Sequence, residues 1–241
     1  MKKSNMLLGV AAVFFLTCLL AFNFALKAEY ESGAYKDRFK DYISLNYQGF
    51  EAVKVNGATS ISVDITSGPY GVRVHKDAPA YLRFRVEKDT LVVEVDQKNE
   101  EVRFQGEVLI SLPRLTCLTT SSNHTLAGKP ESRVYSKYYY NEVEVKGFRQ
   151  DSLQLVLDHA SAVNLANNHL NTLNVVAGAT PGSSPKLSLW KSNTIKKASF
   201  DMRNRSNLVL SHVVIPSVRY HFSDSAQAEL SGASLQLMGE K

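Results

Sequence analysis

From Phe50 onward, apolar and polar residues alternate in short runs separated by turn residues. Val53 and Val55 precede Asn56-Gly57, then Ile61, Val63 and Ile65 precede Ser67-Gly68-Pro69. Val72 and Val74 run into Asp77-Ala78-Pro79, and Leu82, Phe84 and Val86 run into Lys88-Asp89 before Leu91, Val93 and Val95 resume. Val108, Ile110 and Leu112 end at Pro113, and Val143/Val145 follow the triplet Tyr138-Tyr139-Tyr140. A period of two between turn signals predicts strands with one face buried and one wet. No amphipathic helix of ten or more residues is predicted after residue 48, so the exported part is all-β.

The later strands also repeat. The pairs Val163/Leu165, Leu187/Leu189, Leu208/Leu210 and Ala228/Leu230 are spaced 24, 21 and 20 residues apart. A second series, Leu170, Ile195, Ile215 and Leu235, keeps phase with it at spacings of 25, 20 and 20. Polar corners stand between them: Asp158-His159-Ala160-Ser161, Asn204-Arg205-Ser206-Asn207 and Asp224-Ser225-Ala226. Self-similarity at this period marks units that bury their apolar faces against each other. With three short strands per unit and parallel stacking, it predicts a right-handed parallel β-helix of about 20 residues per coil. A two-sheet sandwich fits the N-terminal half equally well. Residues 178–185 read as an exposed insertion, and 129–137 as an excursion from the repeat.

Leu7 to Leu26 is an uncharged 20-residue run preceded by Lys2-Lys3 and followed by Lys27. About 20 apolar residues cross a bilayer core, whereas the apolar part of a signal peptide runs to about 7–15. The segment reads as one transmembrane helix. Cleavage after Ala28 and a lipoprotein cysteine at Cys18, from Phe15-Leu16-Thr17-Cys18, stay open as alternatives. The expected organisation is a cytoplasmic tail 1–6, an anchor or uncleaved signal 7–27, a linker 28–47 and a β-helix domain 48–241. Lys2 and Lys3 keep the N-terminus in the cytoplasm and send the rest to the periplasm or cell surface. Tyr30 and Tyr35 are candidate interfacial anchors.

Charge alters the picture little. Of 28 basic residues, Lys2, Lys3 and Lys27 flank the apolar run, leaving 25 against 23 acidic ones. No basic stripe of the kind that binds nucleic acid is visible. Cys18 and Cys117 fall on opposite sides of the predicted span and do not pair with each other, and Cys117 reads as a small buried residue.

Val108 to Leu118, Ser161 to Leu165 and Ala228 to Leu235, with the opening Phe50-x-x-Val53-x-Val55-x-Gly57, resemble the GIN domain. That family is named for proposed auto-transporter adhesin head domains of Bacteroidetes. The resemblance spans roughly residues 48–238 and implies a right-handed β-helix in the cell envelope with no assigned enzymatic activity.

Candidate chemistry is sparse. Asp158, Asp201 and Asp224 would be the carboxylates of a glycan-cleaving groove, but they stand at different offsets from the following strand and read better as turn caps. His75, His124, His159, His169, His212 and His221 show no metal-ligand spacing. Adjacent Asp158 and His159 would point apart on a strand. Asn123-His124-Thr125 and Asn204-Arg205-Ser206 match a glycosylation acceptor. Trp190 and Tyr138 to Tyr140 are candidate sugar-stacking residues. The sequence therefore predicts a membrane-anchored, adhesin-like binding or structural module of the bacterial envelope. It predicts no catalytic residue, cofactor or metal, and expects an envelope polysaccharide or a surface protein as partner. A polysaccharide lyase or hydrolase on a β-helix is the alternative.

Overall fold

The computed structural model describes residues 3–33, 36–37, 39–98 and 107–238. Lys2 and Tyr35, for which topology and interface roles are predicted, lie outside them. The chain forms two compact units, Met1–Tyr42 and Ile43–Lys241. In the first, α1 (Lys3–Ser32) contains a stretch, Asn5–Ser32, long and apolar enough to cross a membrane by length and composition, as a signal sequence would also be. Its apolar side chains, Leu8, Phe15 and Phe22 among them, are exposed all round within the unit.

The second unit is mostly strand. Its first half holds β1 (Tyr42–Leu45), β2 (Ala52–Asn56), β3 (Ser62–Ser67), β4 (Gly71–His75), β5 (Leu82–Glu87), β6 (Thr90–Gln97), β7 (Glu107–Leu112), β8 (Cys117–Ser121), β9 (His124–Leu126) and β10 (Lys129–Glu131). Its second half holds β11 (Val143–Lys146), β12 (Arg149–Leu157), β13 (Ala162–Ala166), β14 (His169–Ala177), β15 (Lys186–Trp190), β16 (Thr194–Met202), β17 (Asn207–Ser211), β18 (Ser217–Phe222) and β19 (Gln227–Ser231). A 3₁₀ segment, Gly232–Met238, follows.

These strands build two mixed sheets that share one apolar core. One has the order β1-β4-β7-β3-β11-β13-β15-β17-β19; the other runs β10-β9-β6-β2-β8-β12-β14-β16-β18, with β5 paired on β6. The predicted right-handed parallel β-helix is overturned. The pairs β4–β7, β5–β6 and β9–β10 are antiparallel, and among the described residues no closed three-faced coil forms.

The physical reason lies in what a repeat length specifies. Twenty residues fix the distance to the in-register neighbour, not the number of faces. A nine-residue strand such as β12 or β16, a five-residue strand such as β13 or β17 and two corners use up the repeat. Two of the three antiparallel pairs, β5–β6 and β9–β10, are hairpins, whereas β4 and β7 pair across the intervening β5 and β6. Lys88 (φ 58°) turns β5 into β6, and Ala127 and Gly128 (φ 51° and 75°) turn β9 into β10.

The apolar pairs read from the sequence lie side by side. In the first sheet Val63, Val143, Val163, Leu187 and Leu208 form one inward row, and Ile65, Val145, Leu165, Leu189 and Leu210 another. In the second, Leu91, Val53, Leu118, Leu155, Val175 and Phe200 are neighbours in turn. All of these side chains are buried.

The corners carry their own ladder. Asn168 and Asn193 are buried where the chain passes from the first sheet to the second. Asn168 Nδ2 donates to Val145 O at 2.9 Å and to Asn193 Oδ1 at 3.1 Å, while its Oδ1 accepts Phe148 N–H at 3.0 Å. Asn193 Nδ2 donates to Leu165 O at 2.6 Å and Trp190 O at 2.9 Å. Two units on, Ser234 Oγ takes over, accepting Val213 N–H and donating to Val213 O, both at 2.9 Å. A corner exposes backbone groups that no sheet ladder satisfies, and burial makes each one costly unless paired. Replacing Asn168 with Leu leaves the Phe148 amide and Val145 carbonyl buried and unpaired, and is expected to cost about 2–4 kcal/mol. Lys191→Ala on the exposed face should change stability by less than about 0.5 kcal/mol. Urea unfolding of the full chain in detergent, followed by the fluorescence of Trp190, the sole tryptophan, measures both.

Candidate functional site

The opposite row of corners, where the chain passes from the second sheet to the first, is more polar and carries the most exposed chemistry. Asp158 follows β12, and its carboxylate accepts Thr180 N–H (3.1 Å), Thr180 Oγ1–H (2.6 Å) and Ser183 Oγ–H (2.7 Å) from the next corner. Ser161 Oγ donates to Asp158 O at 2.8 Å and shares a buried hydrogen bond of 2.8 Å with Thr120 Oγ1. One corner further, Asn204 accepts Gly182 N–H at 3.2 Å and donates to Gly178 O at 2.7 Å. Gly178 (φ +77°) lies so close to the following corner that a Cβ there would sit 2.3 Å from Arg203 O. These side chains tie successive corners into a rigid stack.

A strap, residues 132–141, crosses this stack. Arg133 N–H donates to Ser122 Oγ at 2.8 Å, and Arg133 O accepts Ser122 Oγ–H at 2.7 Å and Ala160 N–H at 3.0 Å. Ser184 N–H donates to Val134 O at 3.2 Å, and Ser136 N–H donates to Ser184 Oγ at 3.0 Å. Tyr139 OH closes the strap on Ser184 O at 2.6 Å. Burial pushes the Tyr139 phenol above its ordinary pKa, against the opposing effect of the Ser184 hydrogen bond, so it remains a donor at neutral pH. The 178–185 insertion is therefore not wholly exposed as expected, since Ser183, Ser184 and Pro185 are buried.

Fixing the backbone leaves the neighbouring rings outside. Tyr140 is 82% exposed, Tyr138 60% and Tyr135 51%. Tyr138 and Tyr140 lie 6.3 Å apart between ring centroids. Cations sit over the rings: Lys137 Nζ is 5.5 Å from Tyr138, Lys186 Nζ 5.7 Å from Tyr139 and the Arg205 guanidinium 5.3 Å from Tyr135. Each such contact contributes about 0.5–1 kcal/mol at an exposed site and steers the cation without neutralising it. Among the described residues none of these three cations is ion-paired. The arrangement is an aromatic platform rimmed by positive charge.

The other sequence candidates are dispersed. Asp201 lies in β16 with the Arg203 guanidinium on its carboxylate at 3.0 Å, a partner that holds its pKa below the ordinary value. Asp224 lies in the turn between β18 and β19. Asp158 and Asp224 follow strands three spacings apart in the second sheet, about 14 Å, so no paired-carboxylate groove is assembled from them. His75 pairs with Asp77 at 3.3 Å, and His124 Nδ1 lies 2.9 Å from Ser122 O. His159 occupies a left-handed corner (φ 56°), His169 opens β14, His212 lies against Gly232 and His221 is on β18. Among the described residues no three His, Cys, Asp or Glu side chains gather as a metal set. Trp190 is exposed, but four residues along β15 from Lys186, about 13 Å, so it stands apart from the strap. Cys18 and Cys117 are both free, and burial raises the Cys117 thiol.

The sequence pointed to Tyr138 to Tyr140 but not to Tyr135, Lys186 or Arg205. No local pattern links residues 45 to 70 positions apart; the corners bring them together.

No family model matches the chain, so the GIN name rests on the sequence resemblance alone. No curated protein matches it either. Three of the solved structures similar to it come from Bacteroidetes. A candidate adhesin from Bacteroides fragilis NCTC 9343 shares 11% identity over 80% of this chain and 98% of that one, with a TM-score of 0.41. A candidate adhesin from Parabacteroides distasonis ATCC 8503 shares 9% identity over 79% and 96%, TM-score 0.32. A candidate lipid-binding protein from that strain shares 11% over 79% and 94%, TM-score 0.30. Likeness at this level identifies no function.

Burial works against the charged form of Asp158, yet the hydrogen bonds from Thr180, Ser183 and the His159 backbone outweigh it and hold the carboxyl below its ordinary value. A carboxyl that titrates lower when folded adds stability above its unfolded pKa of about 4 and loses it as pH falls through the folded value. Asp158→Asn is therefore expected to lower stability by about 1–2 kcal/mol at pH 7. The gap to the parent chain should close below about pH 4, as read from urea midpoints at a series of pH values.

Proposed function

We propose that the chain is an exported, membrane-anchored and non-catalytic binding module of the bacterial cell envelope, and that the tyrosine strap takes an acidic polysaccharide. The observation that carries this reading is the strap itself: a segment fixed by its backbone across three corners that leaves Tyr135, Tyr138 and Tyr140 outside beside three cations that have no ion pair among the described residues. Tyrosine side chains on an anchored backbone have few rotatable bonds to order and so lose little entropy on contact. Their faces suit the C–H faces of sugar rings, and Lys137, Lys186 and Arg205 supply charge for carboxylate or sulfate groups. The apolar run Leu7 to Leu26 and the basic residues before it support a cytoplasmic N-terminus and an exported β unit. The engagement of Asp158 and Asp201 with their own neighbours favours binding over hydrolysis.

The test uses the full chain in lipid nanodiscs against alginate, polygalacturonate and neutral dextran on a biosensor. Binding to the acidic polymers is expected, weakening as salt is raised because exposed charge is screened within about 10 Å at 0.1 M. Tyr138→Ala/Tyr140→Ala should raise Kd about tenfold, equivalent to about 1.4 kcal/mol, and Lys186→Glu should weaken acidic polymers selectively. Equal binding to dextran, or an unchanged Kd in the double variant, would reject the assignment.

A further inference from the structure

The two sheets finish differently at their two ends. Toward the N-terminal strands each sheet includes an antiparallel pair, β4 on β7 with β1 outside it in one and β10 on β9 in the other. Toward the C-terminus they stop at β18 and β19, each parallel to its predecessor and, among the described residues, with no strand on its other side. The inward rows continue into these strands: Phe200 is followed by Tyr220, Met202 by Phe222, Leu208 by Ala228 and Leu210 by Leu230. Phe200 is buried, yet Tyr220, at the next inward position, is 69% exposed. A cleft of about 560 Å³ opens between the two edges, with Tyr220, Phe222, Ala228 and Leu230 in its walls and Leu237 of the 3₁₀ segment covering part of it.

The hydrogen bonds define which backbone groups are free. Ser223 N–H donates to Met202 O at 2.9 Å, Gln227 N–H to Ser206 O at 2.9 Å, and Ser231 O accepts His212 N–H at 3.0 Å. Alternate residues of a strand direct their N–H and C=O to opposite sides. Odd-numbered residues of β18 and β19 therefore face their own sheets, and Val218, Tyr220, Ala228 and Leu230 present theirs at the open edge.

We propose that this end is an interface between two copies of the chain related by a two-fold axis, with β18 of each pairing antiparallel to β19 of the other. Placing Tyr220 opposite the partner's Ala228 also sets Val218 opposite the partner's Leu230. Both are pairs in which the free N–H and C=O groups meet, and apolar inward residues face apolar inward residues, large against small. The same register sets Arg219 opposite the partner's Glu229 on the outer face. These two form a close, non-hydrogen-bonded pair with opposite charges, the favourable cross-strand combination. Asn207 Nδ2 already holds Glu229 Oε1 at 2.7 Å. Pairing β18 with β18 about Tyr220 would instead oppose two tyrosines and set Arg219 against the partner's His221, so charge and size both favour the crossed arrangement. A two-fold contact made this way is closed and does not propagate into fibres.

The test uses the full chain at one copy per lipid nanodisc, which excludes association of helices within one membrane, with sedimentation velocity counting joined discs. Pairs of discs are expected at micromolar protein. Arg219→Glu or Glu229→Arg alone should raise Kd about tenfold, and the double swap should restore it. Mixing Arg219→Cys with Glu229→Cys protein should give a disulfide-linked dimer, since Cα atoms in such a pair lie about 4.5 Å apart and a disulfide spans 4.4–6.8 Å. Single discs at every concentration overturn the proposal, as does a dimer indifferent to both charge variants. Uptake of a fluorescent fatty acid by single discs, with no dimer formed, would assign the cleft to a small apolar ligand and equally overturn it.

Discussion

Stacking strands in register makes each inward position answer to the residue one repeat before it and the one after. Val163 rests between Val143 and Leu187, and Leu189 between Leu165 and Leu210. A side chain of the wrong polarity at one such position would expose its neighbours on both sides as well as itself. This shared burial is the main apolar contribution available to a chain with two free cysteines and no disulfide. Everything else in the β unit follows from holding that register.

The corners are where the register is most at risk, because the sheet ladders stop there while burial does not. The two rows of corners solve this differently. On one side Asn168 and Asn193 place a side-chain amide where a backbone partner is missing, each spanning to the neighbouring repeat. On the other, Asp158 and Asn204 bind to neighbouring corners and Ser161 reaches Thr120 of the preceding one. The second solution leaves polar backbone groups along the outside, and the strap 132–141 uses them. Its carbonyls and amides complete the corners through Arg133, Val134 and Ser136. A display of aromatic rings is thus a by-product of satisfying backbone hydrogen bonds. The open end follows from the same stacking: among the described residues no strand pairs on the far side of β18 and β19, and Tyr220 and Ala228 hold inward positions that stay exposed.

Much of this order was legible in the chain. The alternation of Val63/Ile65, Val108/Ile110 and Val163/Leu165 marks strands because burial on one face leaves a period of two. The spacings of 24, 21 and 20 residues anticipated which strands would be neighbours, since Leu187, Leu208 and Ala228 are paired in turn. The apolar run of α1 was equally plain. The step from spacing to a closed parallel β-helix failed, because an apolar pattern registers which face is buried and is silent on strand direction. Antiparallel β5 and β6 and parallel β2 and β6 bury the same kind of residue.

What the sequence by itself determined is therefore local or periodic: a membrane-length helix, strands, their inward faces and the length of the repeat. Those properties depend on residues close in the chain or at a fixed interval, and the hydrophobic effect writes them directly into composition. The tertiary structure decided the number of sheets, the direction of each pairing, the amide ladder at the corners and the meeting of Tyr135 with Arg205 and of Tyr139 with Lys186. These depend on hydrogen-bond geometry between segments far apart in sequence, where a single polar residue such as Asn168 looks like any turn residue until its partners are in place.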